Sequence, residues 1–260
     1  MGLHACAIVL LLVAAAALGA LDAKGKELAT EHFTIDYTQV SEATATAVAR
    51  DAEQAFRDVS TFLEVDWEGG KIKIIVSPDY VEPYMSRAEL TVGIPPNRLS
   101  ASGATTGPPQ VQGRAMPFWN ALVHVLAPSA VEPADWQNFV TEGCGIYLQS
   151  LFGGGNSTPW PAKYYPAMGE PLHAAAAAQV ARFGALPLAE AVRLLNDRRF
   201  TATRRLAWLE AGSFIQYLID TRGKGSFLRW YRGGSFEAVY GSNADALLGE
   251  WTDFIKRVRP

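Results

Sequence analysis

The stretch Asn120-Ala121-Leu122-Val123-His124, followed by Trp136 to Gln149 (WQNFVTEGCGIYLQ), decides the fold that the sequence predicts. Apolar residues around the first stretch recur at helical spacing, and the run ends at Ala127-Pro128, so a buried helix is expected there. A second apolar helix is predicted over the WQNFVTEGCGIYLQ segment. Glu142 in this segment follows His124 by eighteen residues. We therefore expect two consecutive apolar helices, each of which carries one of these two polar side chains.

This helix pair resembles that of the peptidase-MA-like gluzincins, a family of secreted bacterial zinc peptidases related to thermolysin. In those proteins a segment like HELTHVL precedes one like WLSEGLAEYL, and the present chain has NALVHVL and then FVTEGCGIYL. Residues 30–37 are similar to the family's opening strand, and residues 211–220 to its late helix. The resemblance covers about residues 28–258, and it implies that His124 and Glu142 face each other across the helix pair.

The resemblance assigns roles to four positions and shows that two of them have lost the required chemistry. In the H-E-x-x-H motif, both histidines bind Zn²⁺ and the glutamate takes a proton from the zinc-bound water. Asn120 stands at the first histidine and Ala121 at the glutamate, whereas His124 and Glu142 keep the second and third ligand positions. Ala121 cannot act as a base, and positioned acid–base catalysis contributes ~10²–10⁴-fold. We predict no catalytic residue, and a vestigial pocket of Asn120, His124 and Glu142.

Three functions are compatible with this pattern. The first is a gluzincin-like pseudopeptidase that keeps its cleft to bind a peptide or a protein. The second is an active zinc metallopeptidase with an irregular ligand set, in which His173 or Asp135 would supply the third ligand. The third is a non-catalytic structural module of the cell envelope. His124 and Glu142 alone would bind zinc weakly, so we expect no cofactor unless an unrecognised third ligand exists.

The N-terminus predicts an extracytoplasmic location. Residues 5–21 are apolar and end in small residues, so residues 1–23 are interpreted as a secretory signal peptide or an uncleaved anchor. Any membrane contact would run through this segment. Cys144 is then the one cysteine of the mature chain, and we expect it to be a small buried hydrophobe. The net charge of −3 gives no reason to expect nucleic-acid binding, and the pairs Arg198-Arg199 and Arg204-Arg205 are interpreted as flanking helix ends.

The order of patterns predicts an α+β fold with a cleft between two lobes. Residues 28–113 would form a small N-terminal mixed-sheet lobe with one helix, and residues 114–258 a mostly helical lobe that carries the degenerate zinc-site helices. Strands are predicted at residues 30–38, where His32 should be exposed, and at residues 71–77. Residues 91–102 contain Pro95-Pro96, so any pairing there is expected at a sheet edge.

Smaller expectations concern helix ends and one insertion. Ser41 should cap the first helix, Asp135 the helix of Glu142, and Ser242 with Asp245 the last helix. Residues 153–169 form a Gly/Pro insertion with Trp160, Tyr164 and Tyr165. These aromatic side chains could serve as a binding surface or fold down onto the core.

Overall fold

The fold was obtained as a computed structural model, which describes residues 25–38, 40–77, 85–86, 89–93, 118–126, 131–153, 171–197 and 202–259. The strands are β1 (Glu27–Ala29), β2 (Phe33–Asp36), β3 (Ile72–Ser77), β4 (Met85–Ser86) and β5 (Glu89–Gly93). The helices are α1 (Glu42–Leu63), α2 (Phe118–Leu126), α3 (Gln137–Phe152), α4 (Leu172–Phe183), α5 (Leu188–Asn196), α6 (Ala202–Arg222), α7 (Lys224–Tyr231), α8 (Phe236–Tyr240) and α9 (Ala244–Ile255). A sheet with one helix therefore precedes a helical body, and the predicted α+β class is confirmed.

The sheet is mixed, in the order β1-β2-β3-β5-β4. Strands β2, β3 and β5 run parallel, whereas β1 and β4 are antiparallel edge strands. Within the described residues, Thr91–Gly93 pair only with β3, because β4 pairs with the preceding Glu89 and Leu90. This one-sided pairing agrees with the expectation of a sheet edge for residues 91–102. Strand β5 ends at Gly93, before Pro95-Pro96, so no proline removes a ladder donor from it.

Helix α1 covers one face of the sheet and links it to the helical body. Ser41 caps it as predicted, since its hydroxyl accepts from the Thr44 amide at 3.2 Å. Further along α1, Asp58 accepts a hydrogen bond from Trp119 Nε1 of α2 at 2.8 Å. At its C-terminus, Arg232 donates to the Leu63 carbonyl at 2.8 Å. Buried residues of the sheet and of the helices form one continuous core.

The predicted division into two lobes at residues 113 and 114 lies outside the described residues. So do residues 1–23, Pro95-Pro96 and the aromatic residues of the insertion. No helix of the described part of the chain is long and apolar enough to cross a membrane.

Two predicted helix caps are corrected. Helix α9 is capped by Asn243, whose side chain accepts from the Ala246 amide at 2.9 Å, because the helix begins at Ala244 and leaves Ser242 outside. Asp135 does not cap α3, because it lies in a 3-10 turn over Ala134–Trp136 that leads directly into the helix. The N-cap residue of α3 is Trp136, whose side chain forms no capping hydrogen bond.

A buried carboxyl group fixes the connection between α4 and α5. Glu210 of α6 is only 3% exposed, and both of its oxygens lie 3.1 Å from the Leu186 amide. Burial raises the pKa of Glu210 to about 8, against the smaller opposing effect of the Leu186 hydrogen bond. Glu210 is therefore protonated in the folded protein at neutral pH.

Glu210 should make the free energy of unfolding fall as the pH rises. Between pH 4.5 and about 8 the unfolded carboxyl loses its proton while the folded one keeps it, so stability declines across this window. Glu210→Gln removes the titration and keeps an oxygen for the Leu186 amide. We expect the variant to be more stable than the parent by roughly 2–4 kcal/mol at pH 8. Thermal melts at pH 4.5 and pH 8 should show this gain only at the higher pH, and an equal gain at both would contradict the assignment.

Candidate functional site

Helices α2 and α3 bring His124 and Glu142 together, as the sequence predicts. His124 Nε2 lies 3.7 Å from Glu142 Oε2, an ion-pair distance that is too long for a direct hydrogen bond. Both side chains are largely buried, at 20% and 10% exposure. The second and third ligand positions of the resembling family therefore face each other across the helix pair.

Arg204 is the third charged residue of this site, and the sequence analysis did not predict its role. Its Nη2 lies 3.3 Å from Glu142 Oε1, the carboxylate oxygen that does not face His124. The guanidinium also donates to the carbonyls of Leu195 and Asp197 and lies over the Trp208 ring. Arg204 lies at the start of α6, at a helix end as predicted, and it is also a buried member of the site. One signal was present, although it applies equally to Arg205: the helix dipole disfavours a cation in the first turn, so a negative partner is expected.

His124 and Arg204 together keep Glu142 ionised. Burial by itself would raise the pKa of this carboxyl, but the interactions with His124 and then with Arg204 outweigh burial and hold the pKa below its ordinary value. The site therefore contains a buried carboxylate with a cation on one side and an imidazole on the other.

Asn120 and Ala121 occupy the remaining motif positions and are both fully buried. Neither polar atom of the Asn120 amide has a hydrogen-bond partner within the described structure. The amide packs directly on α3, where a Cβ added at Gly145 would lie 2.5 Å from Asn120 Nδ2. Glycine at this position lets α3 approach α2 closely, and Gly143 does the same against the backbone of Ala211 in α6.

His173 and Asp135, the sequence-derived candidates for a third zinc ligand, have other surroundings. His173 Nδ1 lies 2.8 Å from Ser213 Oγ, and its Nε2 lies 3.6 Å from Asp220. Asp135 is exposed in the 3-10 turn, where its carbonyl accepts from Asn196. Within the described residues, neither side chain forms a hydrogen bond or an ion pair with His124 or Glu142.

Ser213, His173 and Asp220 have the composition of a hydrolytic triad but form a structural connection. Ser213 is fully buried and its Oγ accepts a hydrogen bond from Trp251 Nε1 at 3.0 Å. The His173 ring packs edge-on against Phe254. Burial lowers the pKa of His173, in opposition to Asp220. The group joins α4, α6 and α9, and gives no access for a substrate to the Ser213 hydroxyl.

A second group of residues whose side chains can bind metals lies beside the sheet. The ligand atoms of Glu31, His32 and Glu53 lie within 4.8 Å of one another. Glu53 accepts from both the backbone amide and Nδ1 of His32, at 2.9 and 2.8 Å, and the imidazole stacks on Phe56. The prediction that His32 is exposed is wrong, because this stacking and pairing hold it half-buried. Hydrogen bonding accounts for the geometry of the group.

Cys144 is fully buried, as predicted for a small hydrophobe. Burial raises the pKa of its thiol far above the ordinary value, so the sulfur is protonated and unreactive at neutral pH.

Comparison with known proteins gives no family assignment. No protein-family model matches this chain, and neither a curated protein nor a solved structure matches it significantly.

Removal of the Arg204 cation should destabilise the fold strongly. Arg204→Met leaves the Glu142 carboxylate buried with only His124 beside it, and breaking a buried pair in this way costs roughly 3–5 kcal/mol. Arg193→Met is the matched control, because Arg193 belongs to an exposed Arg–Glu pair. Such pairs contribute about 0–1 kcal/mol. Urea unfolding of the two variants measures the difference, and equal losses would show that the Glu142–Arg204 contact does not stabilise the protein.

Gly145→Ala should be destabilising because α3 has no room for a side chain beside Asn120. The added Cβ would force the helices apart, which typically costs about 1–3 kcal/mol. Gly249→Ala is the control, since an added Cβ there meets no atom within 4 Å and should stabilise α9 by about 0.5–1 kcal/mol. Calorimetric melting should move in opposite directions for the two variants. Asn120→Ala in the Gly145→Ala background should recover part of the loss if Asn120 is the obstacle.

Proposed function

We propose that this chain is an extracytoplasmic, gluzincin-like protein without peptidase activity that binds a peptide or protein segment. The observation that carries the proposal is the surroundings of Glu142. Both oxygens of its carboxylate face positively charged or polarisable groups of the chain itself, His124 and Arg204. The carboxylate that would bind zinc is thus already charge-compensated by a guanidinium.

Two groups that a zinc peptidase requires are also missing, the first histidine ligand and the general base. A catalytic zinc site needs three protein ligands, an open coordination position and a base for the bound water. Asn120 offers an amide where the family pattern has an imidazole, and Ala121 is a fully buried methyl group. An arginine cannot replace the metal in catalysis, because a guanidinium has no open coordination position at which to bind and activate a water.

A binding role is supported by the edge of the sheet. The antiparallel edge strand β4 contacts α2, the helix that carries Asn120 and His124. In the resembling peptidases an edge strand borders the substrate cleft. An extended peptide could add to such an edge through main-chain hydrogen bonds without any catalytic group.

The proposal predicts that the purified protein keeps no stoichiometric zinc. After incubation with zinc and removal of the excess, metal analysis should find far less than one zinc per chain, because only two of the three ligands that a catalytic zinc site needs are present. Casein degradation should be undetectable with or without a chelator. The proposal that the protein has no peptidase activity would be contradicted by two results together. These are about one zinc per chain and proteolysis that the Glu142→Ala variant lacks.

Restoring the motif tests the resemblance itself. The variant Asn120→His/Ala121→Glu/Arg204→Ala should bind about one zinc per chain, since it combines the ligand set with removal of the competing cation. The same variant with Glu142→Gln should lose the metal. Circular dichroism must show that both variants fold, because the introduced imidazole has to fit beside Gly145. A folded triple variant without zinc would show that the helix pair does not have gluzincin geometry.

A further inference from the structure

Trp136 lines two hollows at the beginning of α3, and together they are called the Trp136 surface below. The first hollow, of about 250 Å³, has an apolar wall of Pro133, Trp136 and Phe236. The second, of about 280 Å³, is formed by Trp136 together with Leu188 and Val192 of α5. Each volume is below the roughly 300–1,000 Å³ of sites that enclose a small molecule. The two hollows therefore suit single side chains of a larger partner.

The indole ring of Trp136 is held in place by the aromatic core. Its centroid lies 5.9 Å from that of Phe139, 6.1 Å from that of Trp230 and 5.7 Å from that of Phe236. The side chain is nevertheless only half-buried. A ring that is already fixed loses little conformational entropy on binding, and tryptophan is enriched among the residues that dominate binding energies. Trp136 is therefore a preorganised aromatic contact for a partner.

The charged residues of both hollows are acidic. They are Glu132 and Glu237 in the first hollow and Asp135 and Asp245 in the second. All four are exposed, and none of their carboxylates forms an ion pair within the part of the chain that the structure describes. The described residues that line the two hollows include no arginine, lysine or histidine. A cation that enters either hollow therefore meets carboxylates that no basic side chain of the described chain neutralises.

The helix N-termini at this surface do not cancel its acidic charge. Glu237 lies in the first turn of α8 and Asp245 in the first turn of α9, where the helix dipole favours an acidic side chain. Each N-terminus corresponds to about half of an elementary positive charge, whereas each carboxylate carries a whole negative charge. Glu132 precedes the 3-10 turn over Ala134–Trp136 and belongs to no helix. The surface therefore keeps an excess of negative charge, in the same sense as the net charge of −3 of the whole chain.

The cationic side chains of arginine and lysine complement both the aromatic ring and the acidic charge. A guanidinium or ammonium group over an indole face is attracted by the ring, and tryptophan is the best of the aromatic side chains in this role. The aliphatic stem of the same side chain can pack on an apolar wall while its charge stays in water or near a carboxylate. Among the described residues, no cation of the chain itself lies over the Trp136 ring. The ring is therefore open to a cation from a partner.

We infer that the Trp136 surface binds a basic segment of a peptide or protein. An arginine or lysine side chain of that segment would lie over Trp136, with its cation toward the carboxylates of one hollow, and a second basic side chain would enter the other hollow. The inference rests on the proposed peptide-binding function. It names the chemical class of the peptide and a surface other than the pocket of His124 and Glu142 that recognises it.

The test compares a fluorescent octapeptide that contains two arginines with the same peptide in which citrulline replaces both. Citrulline keeps the shape of the arginine side chain and removes its charge. In fluorescence polarisation with the full protein, the arginine peptide should bind at least about tenfold more tightly, because the neutral peptide loses the cation–π contact and the charge-assisted hydrogen bonds.

Variants of the four acidic residues test the two hollows separately. Glu132→Gln/Glu237→Gln removes two charges from the first hollow, and Asp135→Asn/Asp245→Asn removes two from the second. Each double variant keeps the shape of the side chains, and all four positions are exposed, so the fold should be retained. Each should weaken the arginine peptide by about three- to tenfold and leave the affinity for the citrulline peptide unchanged.

A matched control removes the same charge beside another tryptophan. Asp66 and Glu68 are exposed on either side of the half-buried Trp67, and neither of them lines the two hollows. Asp66→Asn/Glu68→Gln should therefore leave the affinity for the arginine peptide unchanged. Trp136→Phe keeps an aromatic ring at the surface and should weaken this peptide by about threefold, because a phenyl ring attracts a cation less than an indole does.

A photo-reactive diazirine between the two arginines locates the bound segment. Adducts on residues 132–136 and 236–245 would support the inference. Equal affinity for the arginine and citrulline peptides, or an equal loss in the control and the hollow variants, would overturn it. Spermidine that binds as tightly as the arginine peptide would identify a polyamine as the occupant and would also overturn it.

The outcomes separate this inference from the proposed function. Saturable binding of both peptides with adducts elsewhere would overturn the assignment of the Trp136 surface, while the peptide-binding function stands. Absence of binding by either peptide would remove both the surface assignment and the peptide-binding part of the proposed function. The metal measurements decide the loss of catalysis independently of these outcomes.

Discussion

The buried carboxylate of Glu142 is the constraint on which the arrangement of the helical body depends. An ion of this kind costs several kcal/mol to remove from water, and the cost is recovered only if charged and hydrogen-bonding partners surround it. His124 comes from α2 and Arg204 from α6, so one carboxylate on α3 ties three helices together. Gly143 and Gly145 let α3 lie close enough to both neighbours for these contacts to form. Charge pairing and close packing therefore depend on each other at this point.

On the proposed function, the same requirement explains how the framework of a zinc site can persist without zinc. In a zinc peptidase the metal supplies the positive charge that a buried glutamate ligand needs. Here Arg204 supplies it from within the chain, with a guanidinium that stays charged at any physiological pH. An arginine, unlike zinc, leaves no open coordination position and lowers no water pKa. On the proposed function, the substitution preserves the packing of α2, α3 and α6 while removing the chemistry that the packing would have served.

The part of this structure that follows from local pattern could be predicted from the sequence. The pattern of apolar residues located α2 and α3, and the strand pattern before Ser77 located β3. The facing of His124 and Glu142 followed from the resemblance. The role of Arg204 could not be predicted, because Arg204 and Arg205 are equivalent in sequence and only tertiary packing decides which one points inward. The cap of α9 was missed because the neighbouring polar residues Ser242 and Asn243 compete for one position. The cap of α3 was missed because a 3-10 turn over Ala134–Trp136 precedes the helix and moves its cap to Trp136.

Two buried glutamates then show how surroundings decide the charge of one residue type. Glu142 has His124 and Arg204 as partners, and these outweigh burial, so the carboxyl is ionised. Within the part of the chain that the structure describes, Glu210 accepts only from the Leu186 amide, and burial keeps it protonated at neutral pH. The two differ in the number of cations that reach them, not in the extent of burial. As a consequence, the Glu142 carboxylate uses the charge of Arg204 within the protein, whereas Glu210 holds the Leu186 amide as a neutral carboxyl group.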